Sequence, residues 1–281
     1  MTTATVTETP AVIGAVSDIR LTFGRLLRSE VIKLLTLRST WWSIGVVAVL
    51  SVGLAAIVAA SMSASYEGAP AGTVDLSQLV SSAVISPIQF TMLLAGALGA
   101  IAVTGEYSTG MIRSTLTAEP RRGAVLAAKA IIVAALLAVV SLVVFLLSTL
   151  PAAAILGTAP IDMTDPGVVL QPVLYGSLSM AVFAVLGLSW GFLLRSGPGA
   201  IAATVGLLFV LPIVGAIFPS EGAWSALHDA AQYLPMYAAQ SVTVPPGAEG
   251  TLSIPVALIT LGCWVAAGLL GSWGVLRSRD A

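Results

Sequence analysis

The sequence predicts an all-α integral membrane protein. Six transmembrane helices follow a cytoplasmic interfacial amphipathic helix, and both termini are cytoplasmic. Three observations carry this. Hydrophobic residues make up 57% of the 281 and charged residues 9%, with a mean hydropathy of +1.01, whereas soluble domains carry roughly 25% charged residues. Six runs approach or exceed the roughly 20 apolar residues that a span requires, near 41–62, 84–104, 124–150, 172–194, 199–218 and 253–276, none with a charge in its middle. The basic residues keep to alternate loops. Arg20, Arg25, Arg28, Lys33 and Arg38 precede span 1, Arg113, Arg121, Arg122 and Lys129 come after span 2, Arg195 separates spans 4 and 5, and Arg277 and Arg279 end the chain. The remaining loops hold acids instead, Glu67, Asp75, Asp162, Asp165, Glu221, Asp229 and Glu249. By the positive-inside rule this distribution sets the orientation.

Taken in order, residues 1–16 are rich in Thr and Ala, lack helical periodicity and predict a disordered tail; residues 17–281 form the six-span domain. No cleaved targeting peptide is expected, because the first apolar run begins about forty residues in and is too long for one. Over 17–40 the apolar residues Ile19, Phe23, Leu26, Leu27, Leu34 and Leu37 share one helical face, as in helices that lie along a membrane surface. Glu30 falls in the middle of that face, where a carboxylate needs a partner. Lys33, three residues on, is the local candidate, and the 105–123 loop is a second source. Trp41 and Trp42 open span 1 as interfacial anchors.

The outer loop 63–83 reads as polar connection, and Pro87 sits in the first turn of span 2, where a missing N–H costs little. Residues 105–123 form a charged island between two long apolar runs. Gly110 divides it, and Tyr107, Met111 and Ile112 offer a small apolar face of the kind that inserts into a groove on another protein. Span 3 over 124–150 measures about 40 Å against a core of about 30 Å, so its first turns project from the membrane. Lys129 is then expected to snorkel to the interface as an orienting charge. Pro151 is expected to end the span.

Loop 151–171 is turn-rich, and Asp162 with Asp165 lacks the six or more oxygen ligands of a calcium site. Gly187 and Gly191 form a GxxxG pair that permits close helix approach. Spans 4 and 5 form a hairpin through Arg195, with a kink near Pro212. Loop 219–252 is apolar enough for a re-entrant or interfacial helix. His228, the only histidine, reads as a surface residue, and Cys263, the only cysteine, excludes an intrachain disulfide.

Phosphate-cradling loops, metalloprotease helices and nucleophile elbows have no counterpart here, and nothing suggests nucleic-acid binding. The spans also lack the midplane charges common in ion-coupled transporters.

Three segments resemble the permeases of ABC-2 type ABC transporters, especially those of actinobacteria. They are Ser29-Glu30-x-x-Lys33-Leu34-x-x-Leu37-Arg38-Ser39-Thr40-Trp41-Trp42, then Glu106-Tyr107-x-x-Gly110-x-Ile112-Arg113-x-Thr115-Leu116-Thr117-Ala118-x-Pro120-Arg121-Arg122, and Tyr233-Leu234-Pro235. Together they cover the chain from about residue 29 to its end, in the family's order. The resemblance implies that 105–123 carries a coupling helix docking on a separate P-loop ATPase subunit through Glu106, Tyr107, Gly110, Met111, Ile112 and Arg113. Met111 stands where related sequences often have Thr. Glu30, Lys33 and Arg38 belong to the interfacial segment.

The implied assembly is two permease chains, identical or related, with two ATPase chains in a bacterial plasma membrane. ATP and Mg would bind the partner, with no cofactor, metal or catalytic residue in this chain. It would export a hydrophobic or amphipathic substrate. A scaffold or sensor recruiting a soluble partner through 105–123, or an ATP-independent secondary transporter or channel, are the alternatives.

Overall fold

The computed structural model describes residues 22–66, 74–219, 221–222, 224–244 and 251–278; the predicted tail 1–16 lies outside them. Six helical stretches are long and apolar enough to cross a membrane. They are α2 (Arg38–Ser65), α3 with α4 (Leu76–Ile85, Ile88–Thr109), α6 (Arg122–Leu156), α7 (Gly167–Leu194), α8 with α9 (Gly197–Val205, Leu211–Ile217) and α12 (Ile254–Ser278). Around them sit α1 (Phe23–Thr36), α5 (Met111–Ala118), α10 (Ser225–Ala231) and α11 (Pro235–Thr243).

Local chemistry sets most boundaries. Thr22 caps α1 by accepting a hydrogen bond from Arg25 N. The helix expected over 17–40 ends at Thr36, because Leu37 is extended and starts α2 on a new axis. Part of the expected 63–83 loop is the helix α3. Its cap, Asp75, accepts from the amides of Ser77 and Gln78 at 2.9 and 3.3 Å. Ser86 and Pro87 then join α3 to α4.

Pro151 does not end span 3. It lies inside α6, which runs on to Gly157 in the left-handed conformation. Proline removes one ladder hydrogen bond, and membrane helices tolerate this where local adjustment satisfies the freed carbonyl. The 35 residues of α6 measure about 52 Å, well beyond a core of about 30 Å. The break expected near Pro212 takes the form of a π-helical segment, Gly206–Val210, immediately before α9. Loop 219–252 contains both α10 and α11. Trp264 on α12 holds this region by donating from Nε1 to the Tyr233 carbonyl at 2.8 Å.

The core centres on α7, the most buried of the six stretches. It packs on α4, α6, α8, α11 and α12. The α4–α7 contact is a backbone-to-backbone seam. A Cβ on Gly187 would meet the Gly96 carbonyl oxygen at 1.8 Å, and one on Gly99 would meet the Ala184 oxygen at 1.9 Å. Gly191 faces the same helix, through Val103 and Ala100. The GxxxG pair in span 4 therefore packs on span 2.

Because neither contact at the seam can be relieved by rotating a side chain, Gly187→Ala and Gly99→Ala should each cost about 1–3 kcal/mol or more. Gly53, with nothing within 4 Å of its virtual Cβ, is the control. Gly53→Ala should be neutral or gain up to about 1 kcal/mol from helix propensity. Thermal unfolding midpoints in detergent will separate the three variants.

Candidate functional site: a closed ring of buried charges

Helices α1, α4 and α6 each bring charge to one place at the basic end of the bundle. Glu30 faces inward from α1 because it occupies the apolar stripe that begins with Leu26. Glu106 comes from the last turn of α4, and Lys129 from the second turn of α6. Glu30, Glu106 and Lys129 are 2–3% exposed. Lys33, one turn after Glu30, is the one member open at the edge, with 24% of its side chain accessible.

The four groups close a ring. Lys33 Nζ donates to Glu30 Oε1 at 2.7 Å and to Glu106 Oε1 at 2.9 Å. Lys129 Nζ donates to Glu30 Oε2 at 2.6 Å and to Glu106 Oε1 at 2.8 Å. Each cation thus bridges both anions, and the net charge of the ring is zero. Lys33 also reaches Thr115 Oγ1 on α5 at 3.5 Å, so all four helices of this corner meet here. Glu106 Oε2 is buried without a hydrogen-bond partner among the described residues. A groove of about 520 Å³, mostly apolar, runs beside the ring between α1, α2, α4 and α6.

Burial alone would raise the Glu30 carboxyl, but the charge and hydrogen bond of Lys129, with those of Lys33, hold it below its ordinary value. Burial likewise pulls Lys33 down, and the hydrogen bonds it donates to Glu30 and Glu106 more than offset it, leaving Lys33 above its ordinary value. The carboxylate's contribution to stability is complete above its ordinary value of 4.5 and is lost as pH falls through the lowered one. That of Lys33 is complete below 10.5 and is lost as pH rises through the raised one.

The neighbouring contacts tie the same end to the rest of the bundle. Tyr107 packs edge-on against Phe192 of α7 at 6.3 Å between ring centroids, and the Arg195 guanidinium lies 5.2 Å from the Tyr107 ring. Arg195 itself is in the left-handed conformation that turns α7 into α8. Arg122 donates to the Leu276 carbonyl at the end of α12. Glu119 forks around Arg121 at 2.8 and 2.9 Å between α5 and α6.

The sequence-predicted residues separate into two sets. Gly110, at φ 74°, ends α4 and starts α5. It is exposed with Met111 and Arg113, whereas Glu106 and Ile112 are buried and Tyr107 is half-buried. Lys33 meets Glu30 as the spacing suggests, but the second partner of Glu30 is Lys129, outside the 105–123 loop; Glu106 from that loop pairs with the two lysines instead. Arg38 is exposed at the start of α2 and belongs to no part of the ring.

Lys129 does not snorkel. It points inward because two carboxylates wait there, and an ammonium can be buried when it is paired. Sequence reasoning missed this membership; the signal present was that Glu30 and Lys129 are both charges set on apolar helix faces, which does not by itself say that they meet. Thr115, an uncharged helix residue, gave no signal. Elsewhere, half-buried His228 places Nδ1 3.1 Å from the Phe218 carbonyl. Asp162 accepts from Thr164 N and Oγ1 at 2.8 and 2.6 Å.

The family described as "ABC-2 family transporter protein" matches residues 26–218, more than two thirds of the chain. The match spans the ring, α5 and the α4–α7 seam. No curated protein matches the chain.

Removing one partner of a buried ion pair costs about 3–5 kcal/mol. Lys129→Met should therefore destabilise the protein by about that amount, and Lys33→Met, at the open edge, by clearly less. The double variant Glu30→Lys, Lys129→Glu should recover part of the loss seen in Glu30→Lys alone. Unfolding midpoints in nanodiscs provide the measure, and in wild type the contributions of Glu30 and Lys33 should stay flat between pH 4.5 and 10.5.

Proposed function

The chain belongs to the ABC-2 family of transporter proteins, and from that premise we propose that it is the membrane half of an ATP-driven exporter in a bacterial plasma membrane. Family membership makes it a multi-pass permease component of an ABC transporter and not itself the ATPase. The basic end faces the cytoplasm, as the positive-inside rule requires. There a separate P-loop ATPase, carrying ATP and Mg, docks on α5. A second permease chain completes the assembly.

The observation that carries this reading is the ring. A docking helix of eight residues can move a membrane domain only if its displacement reaches the spans. α5 is joined to α4 through Gly110, touches Lys33 through Thr115, and lies beside a node that binds α1, α4 and α6 together. Gly110, Met111 and Arg113 form the contact with the ATPase. Glu106, buried behind them, transmits force. Closure of the ATPase pair pushes α5, and the ring carries α1 and α6 with it as one body, because drawing Glu106 or Lys129 out of the ring leaves an uncompensated charge out of water.

The cargo is hydrophobic or amphipathic. The groove beside the ring, with walls such as Leu34, Ile44, Leu98 and Val133, suits an apolar body.

Affinity purification of the tagged chain in mild detergent should recover a P-loop ATPase with measurable ATP hydrolysis. Met111→Ala with Arg113→Ala should reduce that recovery at least about tenfold, the effect of losing 1.4 kcal/mol of contact. Glu106→Gln should leave the ATPase bound while lowering transport and substrate-linked hydrolysis. Recovery of the chain alone under several mild conditions would overturn the assignment in favour of a scaffold or an ATP-independent transporter.

A further inference from the structure

At the acidic end of the bundle, opposite the ring, lies a second cavity, of about 480 Å³. Its composition differs from that of the groove. Gln78, Gln89, Gln171 and Gln240 line it, one each from α3, α4, α7 and α11. The whole chain has five glutamines and no asparagine, so four of its five carboxamides converge on one space from four separate elements. Ser81, Ser82, Ser86 and Thr243 add hydroxyls.

None of the four carboxamides has a hydrogen-bond partner among the described residues. Each offers two N–H donors and a carbonyl acceptor. Such groups gain little on a lipid-facing surface and much in a wet cavity, where a ligand can replace the waters they hold. Among the described residues that line it there is no Lys or Arg, and the one carboxylate, Asp165, is exposed to solvent. Neutral dipoles without a buried counter-charge repay poorly the desolvation of an ion. They match a group that is itself uncharged and alternates donors with acceptors.

We propose that this cavity binds an uncharged ligand segment dense in hydroxyl or amide groups, and that this segment is the polar part of the exported cargo. The second half rests on the transport reading above; the first stands without it. An amphipathic molecule would thus meet apolar walls at the cytoplasmic end and neutral polar ones at the other.

The test uses the full chain in lipid nanodiscs, with Cys263→Ser removing the exposed native thiol and Ser86→Cys placing a reporter in the cavity. The rate of labelling by a water-soluble maleimide is read with four single-chain probes below their micellar concentrations. These are decyl maltoside, decanoyl-glycyl-glycinamide, decyltrimethylammonium and decyl sulfate. One or both neutral probes should slow labelling at least about fivefold, on the order of one net hydrogen bond, and the two ions should not. Gln89→Leu with Gln171→Leu should abolish the protection, and Gln240→Leu alone should weaken it if the double variant unfolds. The maltoside and glycinamide arms tell hydroxyl from amide recognition. Equal protection by ions and neutral probes, no protection by any, or protection surviving in the leucine variants would overturn the site. Absence of a co-purifying ATPase would remove the exporter while leaving this binding result intact.

Discussion

A charge out of water must be met by another, and at the basic end of this bundle that requirement decides where three helices lie. Glu30 alone would drive α1 back to solvent. Lys129 alone would pull its side chain to the interface. With Glu106 and Lys33 present, the arrangement of lowest energy brings all four together and fixes α1 across the feet of α4 and α6. Buried ion pairs seldom add much net stability, because desolvation consumes the Coulomb gain. Their effect is positional, since moving α4 or α6 away strands Glu106 or Lys129 from the other three charges.

The other half of the architecture needs no polar group. At the α4–α7 seam, glycine against backbone brings two helices closer than any side chain allows, and dispersion contacts accumulate along the approach. The two devices share helix α4. Its middle is held to the core by the seam, and its foot is held to α1 and α6 by the ring. A displacement arriving at Gly110 therefore meets a helix anchored at two heights, which favours movement of the corner as a body over local bending.

Much of this was legible from the sequence. The six spans follow from apolar run length, and the interruption near Pro212 from its missing N–H. The short helix after Gly110 follows from the glycine itself. Pairing of Glu30 was required by its place on an apolar face. What could not be read was which distant residue would satisfy it, because a helical wheel shows what a residue needs and says nothing about another helix. Lys129 was assigned to the interface by a rule about loops, and the rule fails where carboxylates lie within reach. Pro151 and α3 were missed for a related reason. Proline's cost depends on whether the freed carbonyl finds a substitute, and a ten-residue helix leaves only a faint periodic trace. Asp75 followed by Leu76, Ser77 and Gln78 was the capping signal present there.

The ring also constrains how the protein is made. Ribosomes deliver the chain from one end, so Glu30 and Glu106 exist before Lys129 does, and Lys129 is 99 residues away from Glu30. Until the third span emerges, the nascent chain holds two carboxylates with only Lys33 between them. The corner formed by α1 and α4 therefore cannot mature ahead of α6, and the early spans must wait with their acidic groups in contact with water or with the insertion machinery. Topogenesis of the first half is in that sense a single event, completed when one late lysine arrives.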